Sequence, residues 1–195
     1  MTVAYVDLVL RSHERERWAG TGSRIQERLA VHGTLTITAI RRSLGFGPDI
    51  LDHEKMANSD LNVGRLEIAR VAEHVLAPAV RSRLDKLNPA GWKTLAESLR
   101  GVWDGAERLI DRFGHRLEPS QLEVLMDIQQ SVQSALFFWE TFPELAGVPD
   151  EQLPATKTPP VDLKKHMYDG TTKDIRALLE HARKLVSTSI SSRSK

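Results

Sequence analysis

The chain of 195 residues has no cysteine. That excludes disulfide staples, thiolate catalysis and cysteine-ligated zinc or iron–sulfur centres, and it suits a reducing compartment. Charge of one sign is missing too, since the formal net charge is +1. A nucleic-acid partner is not expected, because the one dense basic run, RSHERER, is diluted by Glu14 and Glu16. The apolar opening TVAYVDLVL covers residues 2–10 and contains Asp7. It falls well short of the roughly 20 residues a helix needs to cross a bilayer, and it lacks the basic lead and small-residue cleavage site of a secretory signal. The nucleophile elbow G-x-S-x-G, the Walker loop, the dinucleotide fingerprint and His-Glu-x-x-His are all absent, and no internal repeat is visible. Catalytic residues, metal ligands and cofactors therefore have no sequence signal.

What is present is helical periodicity. With 41% hydrophobic and 27% charged residues the chain composes like a globular protein. The widest apolar stripe lies in Pro119–Phe142, where Leu122, Leu125, Ile128, Val132, Leu136 and Trp139 recur every three or four residues; Ser120 and Glu123 read as a capping box, and Pro143 as a stop. Gly20, Thr21 and Gly22 predict a break after a first helix. A second helix follows from Ser23 and Gln26 to Leu44. Within it GTLTITAI alternates like a strand, but a lone strand would lack a partner, and helix is favoured for residues 34–40. A third helix starts at Asn58, Ser59 or Asp60 and carries an apolar pattern from Leu61 to Leu87, with a kink expected near His74–Ala77 because Pro78 lies inside it. Asn88–Pro89 starts a fourth, which Gly114 should end. Its Gly101 and Gly105 suggest a close approach by a neighbouring backbone or a bulky side chain. The short Gly114–Leu117 connection makes it an antiparallel partner of the Pro119–Phe142 helix. Five prolines between Pro143 and Pro160 read as a linker too polar to add much core, before a last helix capped by Thr171 or Thr172 and a tail ending SSRSK.

The expected fold is thus all-α: an irregular bundle of five or six helices with a proline-rich linker before the last. The expected divisions are 1–19 (an N-terminal amphipathic or juxtamembrane helix), 20–142 (the helical body), 143–170 (the linker) and 171–195 (the last helix and tail). Because the linker separates them from the body, residues 157–195 are expected to be dispensable for folding. Trp92, Trp103 and Trp139 read as core anchors more simply than as the walls of a ligand slot.

Charge is unevenly spread. Residues 1–44 carry +3, residues 45–156 carry −7 and residues 157–195 carry +5. Basic ends could face an anionic surface or the acidic body of another copy. The apolar opening, RSHERERW and the following RIQERLAVHGTL look like the juxtamembrane segment of uncharacterised bacterial membrane-anchored proteins with helical cytoplasmic domains. The resemblance covers residues 1–44 and brings no functional residues with it. It implies a cytoplasmic location at the inner face of a membrane, with Arg11, Arg15, Arg17 and Trp18 as membrane or partner contacts. The other reading of the same residues is an ordinary amphipathic helix with Val3, Val6, Val9 and Leu10 packed on the core.

A second candidate set lies in the Gly45–Ser59 loop, where Asp49, Asp52, His53 and Glu54 crowd together. Carboxylates and a histidine so close together could hold a divalent cation or serve as general acid and base, though the spacing matches no metal motif. The leading expectation is a non-enzymatic cytoplasmic helical interaction domain whose partner is a protein, a second copy or an anionic membrane surface. A small helical enzyme or ligand-binding protein using the Asp49–Glu54 loop is the alternative.

Overall fold

Every described element is helical, as the periodicity requires. The computed structural model describes residues 2–47, 60–149 and 160–191, with side chains at 22–47, 60–149 and 162–190. Helix α1 covers Thr2–Ser43, α2 Leu61–Val71 and α3 Ala77–Leu84, with a π-helical turn Ala72–Leu76 joining the last two. Helix α4 covers Pro89–Phe113, α5 Pro119–Thr141 and α6 Pro160–Ser191.

Helix α1 runs unbroken through Gly20, Thr21 and Gly22, against the expected break. Two glycines cost about 1 kcal/mol each relative to alanine, and that alone does not stop a helix when neither takes a left-handed conformation. The left-handed glycine comes later, at Gly45, with φ +69°. There the Phe46 N–H donates to the Arg41 carbonyl (3.1 Å) and the Gly45 N–H to the Arg42 carbonyl (3.0 Å), which closes the helix as a Schellman motif. Residues 34–40 are helical, and Thr34 Oγ1 donates to the Ala30 carbonyl at 2.8 Å instead of breaking the turn.

Asp60 caps α2 by accepting the Asn62 N–H at 3.2 Å, and Asn88 caps α4 by accepting the Gly91 N–H at 2.8 Å. Pro78 has no N–H to give the carbonyl four residues back. The helix takes up the misfit as the π turn, in which the Ala77 N–H reaches the Ala72 carbonyl. At α5 the capping box is Glu118 with Gln121, one pair earlier than Ser120 with Glu123. Gly114 does not end α4 in a left-handed turn; its φ of −51° leads into a 3-10 turn, Gly114–Arg116.

The proline segment departs furthest from expectation. Leu145 and Ala146 are buried in the core, and Gly147 (φ +73°) brings the backbone so close to the start of α4 that an added Cβ would stand 2.5 Å from the carbonyl carbon of Asn88. Helix α6 begins at Pro160, not at Thr171, because proline suits a first turn. Thr171 and Thr172 lie buried inside it, where Thr172 Oγ1 donates to the Tyr168 carbonyl at 2.6 Å.

Pairs of contacts fix the helix directions. Arg65 meets Glu27 (4.0 Å) while Arg83 reaches the Gly45 carbonyl (3.4 Å), so α2 and α3 run alongside α1 in the same direction. Arg81 meets Asp169 and Arg183 meets Glu73, so α6 runs against both. Ser43 bonds Ser98 while His32 abuts Gly105, so α4 is antiparallel to α1. Asp127 faces His181 and Phe138 faces Gly170, so α5 is antiparallel to α6.

The central element is α6, not the Pro119–Phe142 helix. It packs most extensively on α1 and α5 together, and it buries Met167, Tyr168, Ile175, Leu178, Leu179, Ala182, Leu185 and Val186. The expectation that residues 157–195 are dispensable for folding is overturned by that burial. Among the described tryptophans Trp92 is buried, stacked 6.2 Å from Trp139 and meeting Tyr168 edge-on at 5.1 Å; Trp103 and Trp139 are half-buried at the core margin.

Candidate functional site: two grooves of opposite character

Neither candidate set from the sequence can be built as a site. Asp49, Asp52, His53 and Glu54 lie outside the described residues, and so do the side chains of Arg11, Arg15, Arg17 and Trp18, although their backbone belongs to α1. Among the described residues no three His, Asp or Glu groups gather as metal ligands would, and no helix is long and apolar enough to cross a membrane. His181 Nδ1 stands 3.7 Å from Asp127, too far for the hydrogen bond that orients a catalytic histidine.

The structure offers two grooves of similar size instead. The first, about 810 Å³, lies between the π turn and α6. Its charged groups answer one another. Arg183 meets Glu73 at 3.6 Å, and Glu180 meets Lys184 at 3.4 Å. Arg176 donates from Nε to the Ala77 carbonyl (2.8 Å) and from Nη2 to the Pro78 carbonyl (3.4 Å), tying α6 to the irregular stretch that the proline creates. On the neighbouring turn, burial raises the Asp174 carboxyl above its ordinary range and Lys173 offsets part of that rise.

The second groove, about 700 Å³, lies where the end of α4 crosses α1. Arg24 and Arg28 line one wall, one turn apart on α1. Arg112 and Arg116 line the other, four residues apart across the end of α4 and the 3-10 turn. All four are exposed. Val31 and Phe113 supply apolar surface, and Arg112 lies over the Phe113 ring at 5.4 Å. Arg116 donates from Nε to the His115 imidazole at 2.9 Å. Among the described lining residues one is a carboxylate, Glu27, which meets Arg65 at 4.0 Å. Among the described residues Arg24 and Arg28 pair with no carboxylate.

Behind this groove His32 is buried against Gly105, where an added Cβ would stand 2.7 Å from Cε1. Gly105 thus serves the close approach expected of it, by a side chain, whereas Gly101 faces open space. Burial lowers the His32 pKa to about 4, and the Arg108 guanidinium adds to the shift. His32 is therefore a neutral core group at neutral pH.

Sequence reasoning missed the arginine groove. Its four cations were divided between a basic N-terminal segment and a middle region of net charge −7, so counting by segment hid the cluster. The sequence shows two arginine pairs spaced i, i+4, but only the crossing of α1 with the end of α4 brings them together. No protein-family model, no curated protein and no solved structure matches the chain.

Proposed function

We propose that this chain is a non-enzymatic helical interaction domain that acts at the cytoplasmic face of a membrane. The observation that carries the reading is the reach of α1. Its 42 residues make a rod of roughly 63 Å. Its neighbours stop well short of its beginning: α4 ends at Phe113, beside Arg24–Val31, and Ala182 and Val186 of α6 lie level with Gly33, near the end of that helix at Ser191. The residues before Ser23 therefore continue α1 for about 30 Å past the ends of α4 and α6. That stretch holds the apolar-then-basic sequence ending in Trp18.

A helix without a break transmits whatever it binds directly into the core, where Ile25, Leu29, Ile37 and Ile40 of the same rod are buried. Each Arg near an anionic surface is worth about 1 kcal/mol, with Glu14 and Glu16 offsetting part of it, so attachment is weak and reversible. Co-sedimentation of the 195-residue chain with phosphatidylglycerol-containing and pure phosphatidylcholine vesicles tests the reading. The expected result is retention on the anionic vesicles at low salt, weakened at physiological salt. Background sedimentation with both vesicle types at both salt concentrations overturns it.

A further inference from the structure

We propose that the arginine groove between α1 and the end of α4 is a binding site for a phosphate group, presented either by a small soluble phosphate or by a lipid headgroup. The proposal stands on the groove and not on the reach of α1. Guanidinium groups from two walls converge on one recess: Arg24 and Arg28 from α1, Arg112 and Arg116 from the other side. A guanidinium is a planar fork of donors that matches phosphate oxygens two at a time. A carboxylate offers one edge and a single charge. A phosphate offers three acceptor oxygens and up to two charges, so it can be held from both walls at once.

The volume of about 700 Å³ falls in the range of small-molecule sites, and Val31 and Phe113 give the carbon skeleton carrying the phosphate a surface to rest on. Among the described residues the one acid in the lining is Glu27, which is 52% exposed and faces Arg65, whose side chain is 12% exposed. Arg24 and Arg28, which among the described residues pair with no carboxylate, face Arg112 across the recess, and a bound dianion relieves the repulsion among these like charges.

The test titrates the full chain with pyrophosphate against chloride at matched ionic strength by calorimetry, with phosphatidylglycerol vesicles as the second probe. The variant Arg28→Gln/Arg112→Gln removes one fork from each wall, and thermal unfolding checks that it is folded. The expected result is binding of at least one probe that this variant weakens by about tenfold or more. Glu27→Gln, which removes the acid among the described lining residues, is expected to tighten the same binding a fewfold. A response with pyrophosphate alone assigns the site to soluble phosphates, and a response with vesicles alone assigns it to headgroups. The proposal is overturned if neither probe's binding changes in the double variant. Vesicle binding that persists unchanged in that variant leaves the membrane reading standing without the groove; pyrophosphate binding that responds, with vesicles at background, leaves the groove standing without the membrane.

Discussion

The two grooves differ less in shape than in what happens to their charges. At the π turn, arginines are spent on structure: Arg176 on the carbonyls of Ala77 and Pro78, Arg183 on Glu73. Where α1 passes the end of α4, Arg24 and Arg28 have no such employment, and Arg112 rests on a ring. A recess becomes a candidate site when polar groups are left for something outside the fold, and in the second groove Arg24 and Arg28 meet that condition among the described residues. The same contrast predicts opposite consequences of mutation. Changes on the α6 side should cost stability, whereas changes in the arginine groove should cost binding and little else.

The largest effect is expected from removing residues 160–195. Helix α6 contributes eight buried apolar side chains, from Met167 to Val186, of which the Met, Ile, Leu and Val are worth about 1.5–3 kcal/mol each. Together they match or exceed the roughly 5–15 kcal/mol net stability of an ordinary domain. The truncated chain should lose its cooperative thermal transition. A sharp transition retained near the original temperature would mean that the first groove is a surface feature and the contrast misplaced.

How far the sequence anticipated this contrast follows from which signals are local. Caps and prolines act over three or four residues, so Asp60, Asn88–Pro89 and the irregularity at Pro78 were legible before any tertiary structure. Long-range packing was not. Nothing within Pro143–Thr172 says that Leu145 will be buried, that Gly147 will press on the start of α4, or that Tyr168 Oη will accept its N–H at 3.1 Å. The break at Gly20–Gly22 was inferred from residue type, but glycine that keeps a right-handed helical conformation weakens a helix without ending it. The arginine groove was invisible for the opposite reason: each cation was counted, but its partner across the groove is more than 80 positions away.

Next in size is a pH effect behind the arginine groove. The folded-state pKa of His32 is lowered from 6.5 to about 4, so at intermediate pH the unfolded chain binds a proton that the folded chain refuses. Stability is fully present above about pH 6.5, declines as the pH falls toward 4 and levels off below it. A shift of this size is worth about 3 kcal/mol at most. Urea midpoints measured at pH 7 and pH 4 should converge in His32→Gln relative to the parent. An undiminished pH dependence in that variant would assign the effect to carboxylates.

Two glycines compare how tightly α1 is seated on each side. An added Cβ at Gly33 would stand 2.6 Å from the Ala182 carbonyl oxygen and 2.8 Å from Val186 Cγ2; at Gly105 it would meet the His32 ring at 2.7 Å. Backbone cannot move aside, whereas a ring can turn. Gly33→Ala is therefore expected to cost toward the upper end of the roughly 1–3 kcal/mol typical of overpacking, and Gly105→Ala toward the lower end. Denaturant unfolding with equal losses would show the two contacts to be equally rigid.

The smallest expected effect is the most direct test of the contrast, because the two grooves should give opposite signs. Arg24 and Arg28 are exposed like charges one helical turn apart, an arrangement that destabilises a helix by about 0.2–0.5 kcal/mol. Arg24→Gln should therefore raise stability by that amount at low salt, and the gain should vanish near 1 M salt, where the Debye length is about 3 Å. Arg176→Gln in the other groove removes donors from the Ala77 and Pro78 carbonyls and should lower stability at both salt concentrations, by about 0.5 kcal/mol given its exposure. Urea unfolding of the two variants beside the parent reads both signs. A salt-independent loss above about 1 kcal/mol in Arg24→Gln would place Arg24 among the structural arginines, and the second groove would then be as self-contained as the first.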